Sequence, residues 1–364
     1  MPLSMTRRVL CCLVIAAVAA CSVSADAAVP RDGGIRAPSR APRVTNRVDA
    51  GLVFTKVVPD AGVEAGVDAG VDAGTTSIVR FVAFGDQGKG NQAQYKVGDA
   101  VGKVCATKGC DFVLLLGDNF YPTGVGSVTD PQWQTAFVRP YSTVDAGFYV
   151  TLGNHDYGAS GRGTDFARAL NEVNYSKVNP KWILPGSHYK FTSGPAEFFS
   201  ADTNRSMFQS DDAVRVSFES WLPASLATWK IVFAHHTYRS NGPHGNAGHY
   251  EYSPIRIFPF DGSGVQGFIE NKVCGRADVY LCGHDHTREW LKTTCSRPGS
   301  KIETELIVSG GGADMTGFVS GGKNPYYWHS ETSGFLYVVI EDRTFTGTFY
   351  DSNGVAEFTR SFSK

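Results

Sequence analysis

Residues 277–286 read ADVYLCGHDH, an apolar run that stops at a glycine followed by His, Asp and His. Four other apolar runs have the same form, each ending in Asp, Asn or His and most of them beside Gly. They are Ile78–Phe84 before residues 85–88, Phe112–Leu116 before 117–121, residues 148–152 before 153–156, and Trp229–Ala234 before His235 and His236. Short runs rich in β-branched and aromatic residues that end at turn formers predict β-strands.

The near-continuous apolar character of these runs predicts strands covered on both faces, and hence an α/β architecture. We expect the intervening helices at residues 91–103, 131–138, 164–171, 212–222 and 264–272. In open α/β sheets, ligands bind in the crevice outside the carboxyl ends of the strands. The five strand ends are therefore predicted to meet at one site.

Composition excludes several classes of protein. The 34 Lys and Arg residues nearly balance 35 Asp and Glu residues, for a formal net charge of -1. This balance lacks the basic surplus of nucleic-acid binders and polybasic membrane proteins, so we expect no nucleic-acid partner. The 41 glycines and 23 phenylalanines favour a turn-rich protein with much sheet over a long helical bundle.

The N-terminal segment predicts export. Arg7 and Arg8 precede an apolar run over residues 9–20 that is too short to span a bilayer, as in a signal peptide at residues 1–20. A buried N-terminal helix is the alternative. Residues 18–21 read VAAC and resemble a bacterial lipobox, which favours a lipid-modified Cys21 over simple secretion. We expect a lipoprotein that contacts the membrane only through this anchor, on the outer membrane or in the periplasm.

Residues 21–76 predict a flexible tether. The segment is rich in Ala, Gly, Val and Asp, and triplets such as Asp68-Ala69-Gly70 repeat with a period of four. A Gly in every repeat opposes a helix by about 1 kcal/mol each. A calcium-binding acidic repeat is the less favoured alternative. Residues 77–364 contain no further linker composition, and we expect them to form a single, monomeric catalytic domain.

Five cysteines lie in the predicted catalytic domain, so at least one is unpaired, and no CxxC spacing suggests a zinc-thiolate site. An exported protein can form disulfides. The residues alone leave the pairing open. We expect Cys105 to pair with Cys110 and Cys274 with Cys295, leaving Cys282 as a buried thiol in an apolar strand.

The residue types at the strand ends predict a two-metal site. Carboxylate and imidazole ligands without thiolates suit iron, zinc or manganese and exceed what magnesium usually recruits. An Asp can bridge two cations about 3.5–4 Å apart, the separation used in phosphoryl displacement. Taken singly, residues 85–88 would be read as a turn and Tyr121 as a packing aromatic. The five strand ends together favour the metal site.

These motifs, in this order, resemble the purple acid phosphatases of the calcineurin-like metallophosphoesterase superfamily. The family pattern GDxG, GDxxY, GNH(D/E), VxxH and GHxH is met at residues 85–88, 117–121, 153–156, 232–235 and 283–286. Residues 114–121 and 280–286 are especially similar to the small tartrate-resistant branch. The resemblance implies a four-layer α-β-β-α sandwich of two mixed sheets.

The resemblance also implies the ligands of both metals. Ferric iron would bind Asp86, Tyr121, His286 and a shared Asp118. A divalent iron, zinc or manganese ion would bind Asp118, Asn154, His235 and His284. The phenolate of Tyr121 on ferric iron would give a charge-transfer colour.

Residues outside the ligand set follow from the same resemblance. His155 and His244 are the expected catalytic histidines and, with Asn154 and His236, the expected substrate-binding residues. Asp156 either orients His155, which would make it a catalytic residue, or caps a helix. His236 is either a pocket residue or a packing residue.

The implied activity is hydrolysis of phosphate monoesters by an exported acid phosphatase with a metal-bound hydroxide as nucleophile. A phosphodiesterase or nucleotidase on the same scaffold is the alternative. A surface lipoprotein that binds metal without turnover is less favoured, because every expected ligand type is present.

Overall fold

Two seven-stranded mixed sheets face each other in the computed structural model of the protein, which describes residues 77–208, 213–252, 257–319 and 325–364. All of these residues belong to one unit, Phe54–Lys364. The predicted signal peptide, Cys21 and the tether up to residue 76 lie outside the described residues.

The first sheet contains the first three predicted strands. Its strands are β1 (Ile78–Phe84), β2 (Phe112–Leu116), β3 (Gly147–Thr151), β4 (Trp182–Ile183), β12 (Gly334–Glu341), β13 (Thr344–Asp351) and β14 (Ala356–Ser363). Their order is β14-β13-β12-β1-β2-β3-β4. β1 to β4 are parallel, whereas β12 is antiparallel to β1.

The second sheet contains the other two predicted strands. Its strands are β5 (Tyr189–Ser193), β6 (Ala196–Ala201), β7 (Trp229–Ala234), β8 (Val279–Cys282), β9 (Arg288–Leu291), β10 (Glu305–Ser309) and β11 (Pro325–His329). Their order is β11-β9-β10-β8-β7-β6-β5, with β6, β7, β8 and β10 parallel.

Alternation along the strands separates two apolar cores. Phe81 and Phe112 of the first sheet meet Phe198 of the second, with ring centroids 5.3 and 5.1 Å apart. The next residue, Phe199, points to the opposite face and packs against Phe218 of a helix. A strand places successive side chains on opposite faces, so β6 contributes to both cores.

Helices cover the outer faces of both sheets. They are α1 (Gln92–Lys108), α2 (Leu170–Tyr175), α3 (Thr203–Phe208), α4 (Ala213–Ala224) and α5 (Ser263–Phe268). α1 packs on the first sheet, where the Tyr337 hydroxyl of β12 donates to the Lys108 carbonyl at 3.1 Å. α3, α4 and α5 pack on the second sheet. The predicted four-layer sandwich is confirmed.

Not every predicted helix forms. Residues 164 and 165 have no regular structure, residues 166–169 are turns, and α2 begins only at Leu170, so the helix predicted over 164–171 is wrong. Asp165 accepts the backbone N–H of Arg168 at 3.1 Å, and the Arg168 guanidinium reaches the Thr123 carbonyl, so this segment is held by local turns and a distant loop. The helix predicted over residues 131–138 does form from residue 132, with a π-helical turn at Gln134–Val138.

The disulfides form as expected. Cys105 pairs with Cys110 and Cys274 with Cys295, while Cys282 is a buried free thiol in β8. None of the helices in the described ranges combines the length and apolar composition that a bilayer span needs.

Candidate metal centre

The carboxyl ends of β1, β2, β7 and β8 are joined by backbone and side-chain hydrogen bonds. The Asp86 amide donates to the Gly117 carbonyl at 3.0 Å within the first sheet, and the Gly283 amide donates to the His235 carbonyl at 3.0 Å within the second. The His284 amide donates to Asp86 Oδ2 at 2.9 Å, which links the two sheets. The His155 amide, after β3, donates to Asp118 Oδ1 at 2.9 Å, so all five predicted strand ends meet here.

Three of the converging residues have left-handed backbone: Asp86 (φ 62°), Asp118 (φ 54°) and His284 (φ 71°). A non-glycine residue in this region costs about 1–3 kcal/mol, and such positions cluster at functional sites. Each follows a strand and a glycine, so the chain reverses sharply and directs its polar side chain inward.

Glycines at this edge allow close approach of the chains. A Cβ atom on Gly153 would lie 2.2 Å from Asp118 Oδ1, and one on Gly283 would lie 2.4 Å from Asp86 Oδ2. Both contacts are far inside van der Waals distance. Any larger residue at either position would displace a carboxylate of the site.

One group of ligand atoms surrounds the Tyr121 hydroxyl. Its oxygen lies 2.9 Å from Asp118 Oδ2, 3.2 Å from Asp86 Oδ1 and 3.1 Å from His286 Nε2. His286 Nε2 and Asp86 Oδ1 are 3.6 Å apart. Four atoms of the types that bind hard metal ions thus converge.

A second group surrounds His235 Nε2. This atom lies 2.9 Å from Asn154 Oδ1, 3.2 Å from His284 Nδ1 and 3.4 Å from Asp118 Oδ1. Asp118 therefore gives one oxygen to each group. Asp86, Asp118 and His235 also place one ligand atom each within 4.8 Å of one another.

The hydrogen bonds around His235 test whether a cation fits. His235 Nδ1 lies 2.9 Å from the Leu116 carbonyl, so Nδ1 must carry the proton and Nε2 has a lone pair in the neutral ring. Asn154 Nδ2 donates to the Gly161 carbonyl at 2.9 Å, so the amide oxygen faces Nε2. Two acceptors in contact require a proton or a metal ion between them. The residues fit a metal ion.

Burial or neighbouring charges raise the pKa of three of the expected metal ligands, so these groups hold protons when no metal ion is bound. Burial raises the pKa of Asp86 to about 8, and the neighbouring Asp118 carboxylate adds to the shift. Burial opposes the charge on His235, but the Asp118 and Asp86 carboxylates raise the pKa of this histidine to about 9. Burial and the same carboxylates raise the pKa of Tyr121 well above its ordinary value. Metal binding must therefore displace protons and should strengthen with pH.

Two histidines flank the ligand groups. The His155 ring lies 4.4 Å from the Tyr121 ring, and its Nε2 is 4.0 Å from Asp118 Oδ2. The His244 ring stacks on His284 at 4.2 Å, and its Nδ1 is 2.5 Å from Glu251 Oε1. The two expected catalytic histidines thus stand one beside each ligand group.

The sequence pattern described as "Calcineurin-like phosphoesterase" matches residues 79–288, more than half of the chain. The chain belongs to the calcineurin-like phosphoesterase family. Purple acid phosphatase 7 of Arabidopsis thaliana is 30% identical over 260 residues, covering 64% of this chain and 70% of the relative. Tartrate-resistant acid phosphatase type 5 of Sus scrofa is 26% identical over 322 residues, covering 78% and 86%. These relatives confirm the resemblance and the predicted enzyme class, a metal-dependent phosphoric monoester hydrolase.

Two solved structures share the fold of this chain. The purple acid phosphatase PPD1 from yellow lupin superposes with a TM-score of 0.60 at 17% identity, over 79% of this chain and 54% of that one. GAP50, described as the anchor in the inner membrane complex of Plasmodium, superposes with a TM-score of 0.61 at 19% identity, over 79% and 89%.

Asp156 does not contact the His155 ring, contrary to the expectation that it orients it. Its carboxylate accepts the backbone amides of Asn119 at 2.8 Å and Gly153 at 2.8 Å, whereas His155 Nδ1 meets the Pro122 carbonyl at 2.7 Å. The alternative role as a helix cap is not observed either. In this phosphoesterase, Asp156 instead joins the loops after β2 and β3.

His236 is buried behind the ligand groups. Its Nδ1 lies 2.9 Å from Thr203 Oγ1, and its ring centroid is 4.5 Å from that of His284. Burial holds the pKa of His236 well below its ordinary value. Of the two roles that the sequence left open, these contacts correspond to packing.

Sequence reasoning missed three carboxylates that hold the loop carrying His244. Asp285 Oδ1 accepts the His244 amide at 2.8 Å, and Glu289 Oε1 accepts the Ser240 hydroxyl at 2.9 Å. Glu251 contacts the His244 ring itself. Asp285 lies inside the motif at 283–286 and could have been noticed there. The other two lie outside every motif.

Proposed function

We propose that this phosphoesterase is an acid phosphatase that hydrolyses phosphate monoesters at a dinuclear metal centre. Ferric iron would be held by Asp86, Tyr121 and His286, a divalent iron, zinc or manganese ion by Asn154, His235 and His284, and both by Asp118. The observation that carries the proposal is that Asp118 divides its two oxygens between two groups of ligand atoms.

The charge of the site suits this pair of ions. Two carboxylates and a phenolate contribute three negative charges, so a trivalent and a divalent cation leave two positive charges for a phosphate dianion. Bound together, the two cations would neutralise phosphate oxygens and acidify a water that supplies the attacking hydroxide. Ligands of this charge and hardness favour iron, zinc or manganese over soft metals.

The flanking histidines supply hydrogen bonds and a proton. His155 donates from Nδ1 to the Pro122 carbonyl, which leaves its Nε2 on the side of Asp118. His244 contacts Glu251 through Nδ1, which leaves its Nε2 for the substrate. When protonated, either ring can donate to a phosphate oxygen or to the departing alkoxide. We assign both histidines to the step in which the departing alkoxide is protonated.

The test measures hydrolysis of a chromogenic phosphate monoester and bound metal in the wild type and in Asp118→Asn. An amide offers one oxygen acceptor instead of two, so we expect loss of at least one ion and a fall in kcat/KM of at least about 100-fold. Asp99→Asn, at an exposed position on α1, is the control. Full activity in Asp118→Asn, or no hydrolysis by the metal-loaded wild type, would contradict the proposal.

Two further measurements separate the alternatives. Rates on a phosphate diester that exceed those on a monoester would favour the phosphodiesterase function. A visible absorption band that is lost in Tyr121→Phe would identify a phenolate on ferric iron. A colourless but active enzyme would exclude ferric iron at this position and leave the metallophosphoesterase assignment intact.

We also propose that the protein is an exported lipoprotein anchored through Cys21. The lipobox-like residues 18–21 support this, and two disulfides in the described domain suit an oxidising compartment. In a bacterial host, the wild type should fractionate with membranes and Cys21→Ala should be released. Membrane association of Cys21→Ala, or an unmodified Cys21 by intact mass, would contradict the anchor.

A further inference from the structure

A lysine ammonium lies on the face of Tyr121. Lys89 Nζ is 4.1 Å from the centroid of the Tyr121 ring, well within the range of cation–π attraction. The same Nζ is 3.2 Å from Asp314 Oδ2. Asp314 Oδ1 in turn accepts Asn91 Nδ2 at 2.7 Å, so the carboxylate that holds the ammonium is itself fixed.

Backbone hydrogen bonds hold the segment that carries Lys89 next to the segment that carries Tyr121. The Tyr121 amide donates to the Gly88 carbonyl at 2.9 Å, and the Gly88 amide donates to the Asp118 carbonyl at 3.2 Å. Lys89 is the next residue along the chain, and its side chain is only 26% exposed. Partial removal from water strengthens the attraction between a cation and a ring.

We infer that Lys89 tunes how strongly Tyr121 donates electron density to its metal ion. This inference rests on the proposed function, because it requires a phenolate bound to ferric iron. The ammonium faces the ring, whereas the ligand atoms gather at the hydroxyl, so its charge acts mainly on the ring. A positive charge there stabilises the filled π orbitals of the phenolate.

Two consequences follow. The charge-transfer transition moves an electron from the ring to the metal, so a cation on the ring raises the transition energy and shifts the band to shorter wavelength. A less donating phenolate also leaves the metal ion more electron-poor and a stronger Lewis acid. Lys89 therefore acts on the reaction through Tyr121 and is a positioning residue.

The experiment compares visible spectra of the metal-loaded full-length protein at one fixed pH, so that His155 contributes equally. Lys89→Met should shift the band to longer wavelength and lower kcat with iron content unchanged. Lys89→Arg should keep the wild-type wavelength because it keeps the charge. Lys96→Met, at an exposed position on α1, is the matched control and should leave the band in place.

Lys89→Gln provides a second variant if Lys89→Met holds less iron. It removes the same positive charge but keeps a polar side chain beside Asp314, so the band should move in the same direction. An unshifted band in either iron-loaded variant overturns the inference alone. A raised KM with an unshifted band does the same, because it would assign Lys89 to substrate binding. A colourless wild type overturns the ferric-phenolate proposal as well.

Discussion

Both carboxylate oxygens of Asp118 interact with other residues of the site, and no other side chain at this position could reproduce all of these interactions. One oxygen faces Tyr121, while the other faces His235 and accepts the His155 amide at 2.9 Å. Burial would raise the pKa of Asp118, but the His235 charge and these hydrogen bonds lower it below its ordinary value. The Asp118 carboxylate is thus ionised and could bind two cations, one through each oxygen.

The Glu251–His244 pair predicts a change in pH dependence. Burial lowers the pKa of His244, but the hydrogen bond to Glu251 and the Asp285 charge outweigh it and raise the pKa. If protonated His244 supplies a proton, activity falls as the pH rises through this pKa. Glu251→Gln removes the negative charge and lowers the pKa, so the alkaline limb of kcat/KM should move to lower pH.

The measurement is a pH profile of kcat/KM for the wild type and Glu251→Gln, with the exposed Glu303→Gln as control. An alkaline limb at the same pH in all three proteins would show that Glu251 has no part in the titration. A uniform loss of activity at every pH would indicate a structural role only.

At the residue scale, the sequence predicted positions that are encoded locally. Asp86, Tyr121 and His284 each follow a strand within a few residues, so a strand pattern and a turn were enough to place them. Lys89 gains its role from its contacts with Tyr121 and Asp314. Glu251 gains its role from its contact with His244, which the fold of their shared loop creates. Those pairings depend on tertiary structure, which a single sequence does not reveal.

At the element scale, α1 lies close to the loop after the π-helical turn because two of its residues are glycines. A Cβ on Gly98 would lie 2.0 Å from the Pro140 carbonyl oxygen, and one on Gly102 would lie 2.3 Å from Thr143 Oγ1. The helix would otherwise favour alanine at both positions. The close approach, and not helix propensity, explains these residues.

Gly98→Ala should therefore destabilise the protein by about 1–3 kcal/mol, because the added methyl group overpacks a backbone contact. Gly267→Ala in α5 is the matched control, since its Cβ would meet only Arg215 Nη1 at 3.9 Å. We expect that variant to be neutral or up to about 1 kcal/mol more stable. Denaturant midpoints at constant slope measure both changes, and equal effects would contradict the packing argument.

The helix predicted at residues 164–171 shows where the sequence pattern is not enough to predict an element. The composition of this segment allows a helix, yet Gly163 has φ 72° and the Arg168 guanidinium donates a hydrogen bond to the Thr123 carbonyl. The loop after β2 therefore decides the backbone here. Such an override arises where a segment lines a site and packs on several loops.

At the scale of the whole molecule, the candidate metal centre is built from residues of both sheets and connects them. Asp86, Asp118 and Asn154 follow strands of the first sheet, whereas His235 and His284 follow strands of the second. A metal ion bound by both sets would bind only the folded protein. It would therefore add stability by mass action.

We expect removal of metal by a chelator to lower the melting temperature, and restoration of metal to raise it again. Free metal at 100 times its dissociation constant corresponds to about 2.7 kcal/mol of stabilisation. Calorimetry of the stripped and reloaded protein measures the change, with Asp118→Asn expected to respond weakly. A melting temperature independent of metal would contradict binding across the two sheets.

The left-handed conformations of Asp86, Asp118 and His284 have a consequence for engineering. Glycine adopts this conformation without penalty, so replacing His284 by glycine should relax the chain at the same time as it abolishes a ligand. A sturdier scaffold and a working enzyme are therefore competing goals at these positions. Anyone thermostabilising this protein should leave the three strained residues untouched and look for gains elsewhere in the sandwich.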